Sequence, residues 1–319
     1  MKAYVTGGTG FLGRNLVEEL TQAGHSVTVL HRSSSAVQPL KALGVELKEV
    51  SLEDEAVLAR SIPEGVDWFF HTAANTSMWR KKNAEQYRDN VETVARLARI
   101  CRLKKVGRFI HTSSVAAFGL HSDVVTESTP SNALQIPVQY FRTKYLGEKA
   151  VLDEAERGLP AVVLNPAHIL GQYDQRNWAQ LFRMLDQGKL PGLPGGVGDF
   201  ACVREVARAH IRAAQVGKLG SRYILAGPQA SYAEFAQVFL GQLGRTDVPR
   251  VLPKWVLQIA ASWDEGKAWL SGREPELTRE KALFTSSICR YDDSFARKEL
   301  GYLHRPLPEL IRDTWAAIQ

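Results

Sequence analysis

The chain has 319 residues, 45% hydrophobic and 23% charged, with 40 Lys and Arg against 34 Asp and Glu for a formal net charge of +6. That length supports a sizeable core in one large domain or two, and the composition is that of a soluble globular protein. The basic residues are scattered, with Arg80-Lys81-Lys82 the densest run, so the charge reads as a surface suited to anionic cofactors and no nucleic-acid partner is expected.

The first element in chain order is a short strand, Ala3-Tyr4-Val5, followed by Thr6-Gly7-Gly8-Thr9-Gly10-Phe11-Leu12-Gly13 and then an amphipathic helix over Asn15 to Ala23. A strand, a glycine turn and a helix in that order form the context of a dinucleotide fingerprint. Gly8, Gly10 and Gly13 satisfy G-x-G-x-x-G, and Gly7, Gly10 and Gly13 satisfy the looser T-G-x-x-G-x-x-G. Glycines there permit a tight turn, close approach of backbone N–H groups to a pyrophosphate, and close packing of helix on strand. The helix N-terminus adds unpaired donors and the positive end of a dipole.

Gly24 to Leu30 reads as a second strand, ending in His31-Arg32-Ser33-Ser34-Ser35. An NAD site usually places a carboxylate at this point to accept from the ribose 2′-OH. A guanidinium and hydroxyls favour a 2′-phosphate instead, so NADP(H) is expected, with Arg32 as the main contact and NAD(H) the alternative. A third strand spans Val45 to Val50, with Ser51-Leu52 at the adenine edge. Asp67 to Ala74 reads as a buried strand whose small ending, Thr72-Ala73-Ala74, admits the cofactor closely. Asn75 to Asn83 reads as a loop over the active site and includes Thr76, and Tyr87 to Leu103 as a long helix.

Arg108 to Ser114 is the fifth strand, ending in the hydroxyls Thr112, Ser113 and Ser114. A helix over Pro137 to Ala155 carries Tyr140 and Lys144, and a sixth strand, Ala161 to Pro166, stops at proline. Strands alternating with helices predict an α/β protein with a parallel, doubly wound sheet. Beyond Pro166 come a Pro/Gly loop (Pro191 to Gly198), a helix (Arg204 to Gln215), a strand able to rejoin the sheet (Arg222 to Gly227), and about ninety mostly helical residues. The expected division is a dinucleotide-binding domain of residues 1–166 plus about 199–227. A smaller substrate lobe takes 167–198 plus 228–319.

Tyr140 and Lys144 are four apart on one helix face. A phenol near its free pKa of about 10 is a poor acid or base at neutral pH, and a neighbouring ammonium favours the phenolate. Ser114 at a strand end can donate to the same substrate oxygen. Together the three could polarise a carbonyl, supply its proton and anchor the nicotinamide ribose.

The three cysteines, Cys101, Cys202 and Cys289, contain no C-x-x-C pair. Reduced thiols, a cytoplasmic setting and no zinc or disulfide framework are therefore expected. His111 and His168 lack partners at zinc spacing, so no metal is expected. A first strand starting at Lys2 or Ala3 leaves no room for a leader peptide. The longest apolar candidate, Trp255 to Trp263, is too short for a membrane span, and no membrane partner is expected.

The chain resembles an extended short-chain dehydrogenase/reductase of the epimerase/dehydratase superfamily. The resemblance rests on Thr6–Gly13, His71-Thr72-Ala73-Ala74, Asn90-Val91, Thr112-Ser113-Ser114-Val115-Ala116-Ala117-Phe118-Gly119, Tyr140-x-x-Thr143-Lys144 and Leu164-Asn165-Pro166. It implies a Ser114–Tyr140–Lys144 triad, with Ser114 chosen over Ser113 because it stands five before Gly119. It also implies cofactor contacts that include Asn90 and Thr112, and a nicotinamide held near Pro166 to Ile169. A homodimer through the helices bearing Asn90 and Tyr140 is implied as well. Asn165 is either a substrate contact or a strand cap; His168, Trp79 and Trp178 are candidates for the substrate pocket.

Departures from the family pattern point to a branch. Sugar-nucleotide epimerases carry Asp where His31 stands, and tend to carry an Arg that clamps the diphosphate where Gly198 precedes Asp199-Phe200. Losing a bidentate anion clamp costs about 1.5–3 kcal/mol per charged hydrogen bond. Arg204-Glu205 is also unusual within the family's V-x-D. The Ala73 to Ser77 loop and Arg32 look more like the dihydroflavonol-reductase and hydroxysteroid-dehydrogenase side. The expected activity is NADPH-dependent reduction of a carbonyl, or the reverse oxidation, on a small substrate. The rivals are a nucleotide-sugar epimerase or dehydratase and a non-catalytic NADP(H) sensor.

Overall fold

The computed structural model describes residues 1–176 and 178–319. In chain order its strands are β1 (Lys2–Thr6), β2 (Ser26–His31), β3 (Glu46–Glu49), β4 (Trp68–His71), β5 (Arg108–Thr112), β6 (Val124–Val125), β7 (Ala161–Pro166), β8 (His168–Leu170), β9 (Val197–Cys202), β10 (Arg222–Leu225), β11 (Gln229–Ser231) and β12 (Arg290–Tyr291). Seven of them form one sheet in the order β10-β7-β5-β4-β1-β2-β3. Every pairing in it is parallel. Chain order reverses between β1 and β4, which leaves a crevice at the carboxyl ends of those strands, where doubly wound sheets bind ligands.

Parallel strands are covered on both faces, and this explains the unbroken apolar runs. In β4, Trp68 and Phe70 pack with Leu16, Val17 and Leu20 of the Phe11–Gln22 helix, while Phe69 faces Tyr4 and Phe109 on the other side. The Val203–Val216 helix lines the first face. The Thr93–Leu103 helix lines the second, joined there by Val151 of the Gln139–Glu156 helix.

The sheet and its helices follow the expected plan, with differences at several boundaries. The first helix begins at Phe11, four residues before the expected start, because Gly13 lets its first turn pack onto Gly7. The helix expected from Tyr87 begins at Asn83 and carries a π-helical turn over Arg88–Glu92. A second small sheet, β11-β9-β8, and the pair β12-β6 were not expected. Ala296, Leu300 and Tyr302, assigned above to the substrate lobe, pack instead in the core with Val203 and Tyr223, and the Tyr302 hydroxyl donates to the Ala226 carbonyl at 2.6 Å.

The remaining helices after β11 form most of the smaller lobe. Its core is aromatic: Trp178, Phe182, Phe200, Phe235 and Phe239 pack with Leu310 and Ile311. Among the described residues, no helix is long and apolar enough to cross a membrane.

Candidate active site

The glycine turn lies at the end of β1, beside β4. Gly7 adopts φ +75°, and a Cβ there would stand 2.5 Å from the Ala73 nitrogen. A Cβ on Gly8 would meet Val29 at 2.7 Å, and one on Gly13 would stand 2.1 Å from the Gly7 carbonyl oxygen. Gly7, Gly8 and Gly13 are therefore required by packing. Gly10 differs: it is exposed, a Cβ would meet only the Gly7 oxygen at 3.2 Å, and it caps the helix without a side-chain hydrogen bond. No acidic residue occupies the first turn of that helix. An open, uncapped and acid-free helix N-terminus fits a pyrophosphate.

Around this turn, the Thr72 hydroxyl donates to the Thr6 carbonyl at 2.8 Å, which ties the end of β4 to β1, and Thr9, Phe11 and Ala73 are partly exposed in the crevice. Leu12 is buried against the sheet. At the end of β2, His31 Nδ1 meets the Arg32 carbonyl at 3.0 Å, and the Arg32 N–H donates to the Ser35 hydroxyl at 3.2 Å. Arg32 and Ser33 are exposed, and no carboxylate among the described residues pairs with the Arg32 guanidinium. Ser51 is exposed at the far edge, where its hydroxyl accepts from the Glu53 N–H, and the Leu52 carbonyl accepts from Arg96. Pro166 is buried and Ile169 half-buried beyond β7.

The end of β5 meets the N-terminal turns of the Gln139–Glu156 helix. Ser114 is partly exposed, its hydroxyl caps the short Val115–Phe118 turn by accepting from Ala116, and it also engages the Tyr140 phenol. Ser113 by contrast is buried and its hydroxyl has no partner. Lys144 is 4% exposed and donates to the Thr112 carbonyl at 2.8 Å. The Thr112 hydroxyl in turn meets His210 Nε2 at 2.8 Å. The structure thus brings Ser114, Tyr140 and Lys144 together across one strand end.

The electrostatics depart from expectation in one respect. The Tyr140 phenol lies above its usual pKa of 10: burial raises it, and the Ser114 hydrogen bond opposes that rise. The expected lowering does not prevail: burial is the larger influence, and the Lys144 ammonium donates to Thr112. Burial instead brings Lys144 itself down to about 8, against the attraction of Glu148 one turn on. Behind it, His71 and His111 stack at 5.4 Å, and burial followed by the Lys144 charge holds His71 at about 3.

Four of the candidate contacts are engaged in hydrogen bonds or packing within the chain. Asn165 is fully buried; its amide donates to the Ser114 carbonyl at 3.1 Å and to Glu148 at 2.6 Å. Its amide nitrogen thus braces the Ser114 backbone, while its side-chain oxygen has no partner among the described residues. Asn90 is also buried: it accepts from the Asn75 N–H and donates to the Asn75 carbonyl, both at 2.8 Å, so it clamps the loop after β4. Trp79 and Trp178 are each 8% exposed and serve packing, Trp178 within a cluster with Tyr232 and Phe235. Thr76 is exposed in the clamped loop.

Sequence reading missed the neighbours that shape the substrate side. Phe284, from the Arg279–Thr285 helix, packs edge-on against Phe141 and joins the cluster that includes Tyr140. It also lies 5.5 Å from His168, which is flanked by Trp178 and Phe200. Burial lowers His168 to about 4, so its ring is neutral. A Cβ on Gly198 would meet His168 Cδ2 at 2.6 Å, so a larger residue there would require the His168 ring to shift. The ring contacts around His168 are thus aromatic, and Phe284 links them to the Tyr140 cluster. The paired tyrosine and lysine were legible as a pattern, but nothing local announced Phe284, which is 144 positions from Tyr140.

Residues 3–226 match the model of the NAD dependent epimerase/dehydratase family. The chain is 32% identical to sterol demethylase protein B of Methylococcus capsulatus, covering 94% of this chain and 93% of that one. It is also 32% identical to a 4-hydroxy-2-methyl-3-oxo-4-farnesyl-3,4-dihydroquinoline-1-oxide ketoreductase of Stigmatella aurantiaca, over 96% and 92%. Among solved structures, gox2253 superposes with a TM-score of 0.85 at 30% identity, over 99% of this chain and 97% of that one.

Proposed function

Because the chain belongs to the NAD dependent epimerase/dehydratase family, we propose that it is an NADPH-dependent reductase of a small, uncharged, largely apolar ketone, working also in the reverse direction. It is an enzyme of the oxidoreductase kind. The observation that carries this reading is the meeting of Ser114, Tyr140 and Lys144 at the end of β5, beside a glycine turn open only at Gly10. The uncharged His168 ring and Phe284, both partly exposed and in ring contact, favour an apolar substrate, as does the farnesyl-bearing ketone in the name of the Stigmatella relative. Gly198 supplies no diphosphate-clamping arginine of the epimerase kind, and a larger residue there would have to displace the His168 ring.

The turn from Gly7 to Gly13 would hold the pyrophosphate, and Arg32 and Ser33 the adenosine ribose phosphate. The bound nicotinamide supplies the hydride. Ser114 orients the carbonyl by donating to its oxygen. Tyr140 delivers the proton to that oxygen, and burial suits it to the task by keeping the phenol protonated at neutral pH. Lys144, charged below about pH 8, adds positive potential at the strand end. Asn165 and Glu148 hold Ser114 and the lysine in place from behind.

Carrier choice has its own test. Arg32→Ala should raise the KM for NADPH by about ten- to a hundredfold, the worth of one or two charge-assisted hydrogen bonds. The KM for NADH should stay within about twofold. Equal losses for both carriers would show that the guanidinium does not read the 2′-phosphate.

A further inference from the structure

We propose that the Lys254–Ser271 helix lies flat on an anionic bilayer surface and seats the protein there. Its orientation is inverted relative to an ordinary surface helix, which buries its apolar stripe and exposes its charges. Trp255 is 66% exposed, Ile259 53%, Trp263 71%, Trp269 75% and Leu270 83%. Positions 255, 259, 263, 266 and 270 follow the four-, four-, three-, four-residue spacing of one helical face, occupied by Trp, Ile, Trp, Gly and Leu. Trp269 flanks that face. Scattered exposed apolar side chains mean little, whereas a contiguous aromatic face marks an interaction site.

The acidic residues of the helix point the other way. Asp264 accepts from the Leu277 N–H at 3.1 Å, and Glu265 accepts from the Arg279 N–H and guanidinium at 2.9 Å. With Leu257 and Ala261 packed on Ala282, they hold the helix to the body of the protein. The charges left around the apolar face are Lys254, Lys267 and Arg273, all exposed, and none forms an ion pair among the described residues; exposed Glu276 lies beyond the turn.

Two features select a bilayer as the occupant. Indole rings are suited to the boundary between apolar chains and wet headgroups, and a basic rim complements anionic lipid. A second copy placed face to face would set the same cations against each other. The expectation of no membrane partner rested on the length needed to span, and a helix lying in the interface has no such requirement. The face also adjoins the candidate site. Just past the helix, Glu274 bonds Ser77 and Lys82 of the clamped loop, and Phe284 belongs to the helix packed beneath. Entry of an apolar ketone directly from the lipid follows from this placement, and that point alone rests on the reductase reading.

The test is co-sedimentation of the full chain with vesicles of phosphatidylcholine mixed with phosphatidylglycerol, and with phosphatidylcholine alone. The wild type should bind the mixed vesicles more tightly, with a blue shift of tryptophan emission. Trp255→Ser/Trp263→Ser/Leu270→Ser should weaken binding at least about tenfold while keeping reduction of a water-soluble ketone. Should that variant fold poorly, Lys267→Glu/Arg273→Glu, which removes no packed group, should weaken binding to the mixed vesicles only. The proposal is overturned if the wild type stays in the supernatant, if both variants bind as it does, or if sedimentation shows a dimer that the triple variant abolishes. Vesicle binding without turnover would uphold this proposal and sink the reductase reading.

Discussion

Replacing Tyr140 by phenylalanine should lower kcat for ketone reduction by about 10²- to 10⁴-fold, the usual worth of a positioned general acid. The phenol stands beside the Ser114 hydroxyl, within the cluster that includes Phe141 and Phe284. Removing its oxygen leaves that packing intact. NADP(H) affinity, measured by fluorescence titration, should therefore stay within about twofold, which separates loss of the proton donor from loss of the site. The pH profile adds a sign. Tyr140 is raised above 10 and stays protonated across the neutral range, so it does not limit reduction there. Lys144 sits at about 8: its ammonium is present below that pH and lost above it. Reduction should fall as pH rises through about 8, well before the phenol ionises, and Lys144→Met should remove that break. A wild-type rate that holds flat until the phenol titrates would exclude a role for the lysine charge.

What could be read from the sequence follows the range of the interactions involved. Thr6 to Gly13, the strand pattern and the Tyr140–Lys144 pair are local, and each was placed correctly within a few residues. The π-helical turn at Arg88–Glu92 was not visible, because Val91 within it and Val94 and Ala98 beyond it read as one continuous helical face. Its counterpart is Gly147, where a Cβ would stand 2.1 Å from the Asn90 carbonyl oxygen, a contact between two helices. β8 and β11 are three residues each and flanked by Gly or Pro, β9 contains Gly198, and β12 pairs with β6 across 166 positions, so no window of sequence contains either pattern. Lys144 shows the same limit in the site. Spacing places it near the phenol, but only the fold shows its ammonium turned to Thr112. Trp255 to Trp263 was read only as an apolar run too short to span, and burial reveals the outward face that continues to Leu270.

The largest effect on the cofactor site is expected from Gly13→Ala, with Gly10→Ala as its partner experiment. At Gly13 the new Cβ would lie 2.1 Å from the Gly7 carbonyl oxygen, 2.6 Å from its carbon and 2.8 Å from the Thr72 hydroxyl. Gly7 cannot retreat: its φ is +75°, its own α-carbon faces the Thr72–Ala73 backbone, and its carbonyl accepts from the Gly10 N–H at 2.9 Å. The helix must therefore lift from the turn, at a cost of about 3 kcal/mol or more. Thermal unfolding should show a lower Tm and no further rise on adding NADP(H), since ligand stabilisation requires an intact site. Gly10 has φ −87° and only one neighbour near 3.2 Å, so alanine there should cost the fold little. If the open side of Gly10 is where the pyrophosphate approaches, Gly10→Ala should keep the wild-type Tm in the absence of ligand yet lose most of the NADP(H)-induced rise. A Gly10→Ala protein stabilised by NADP(H) as fully as the wild type would show that the turn is shaped by packing alone, and the cradle would have to be sought elsewhere along the sheet edge.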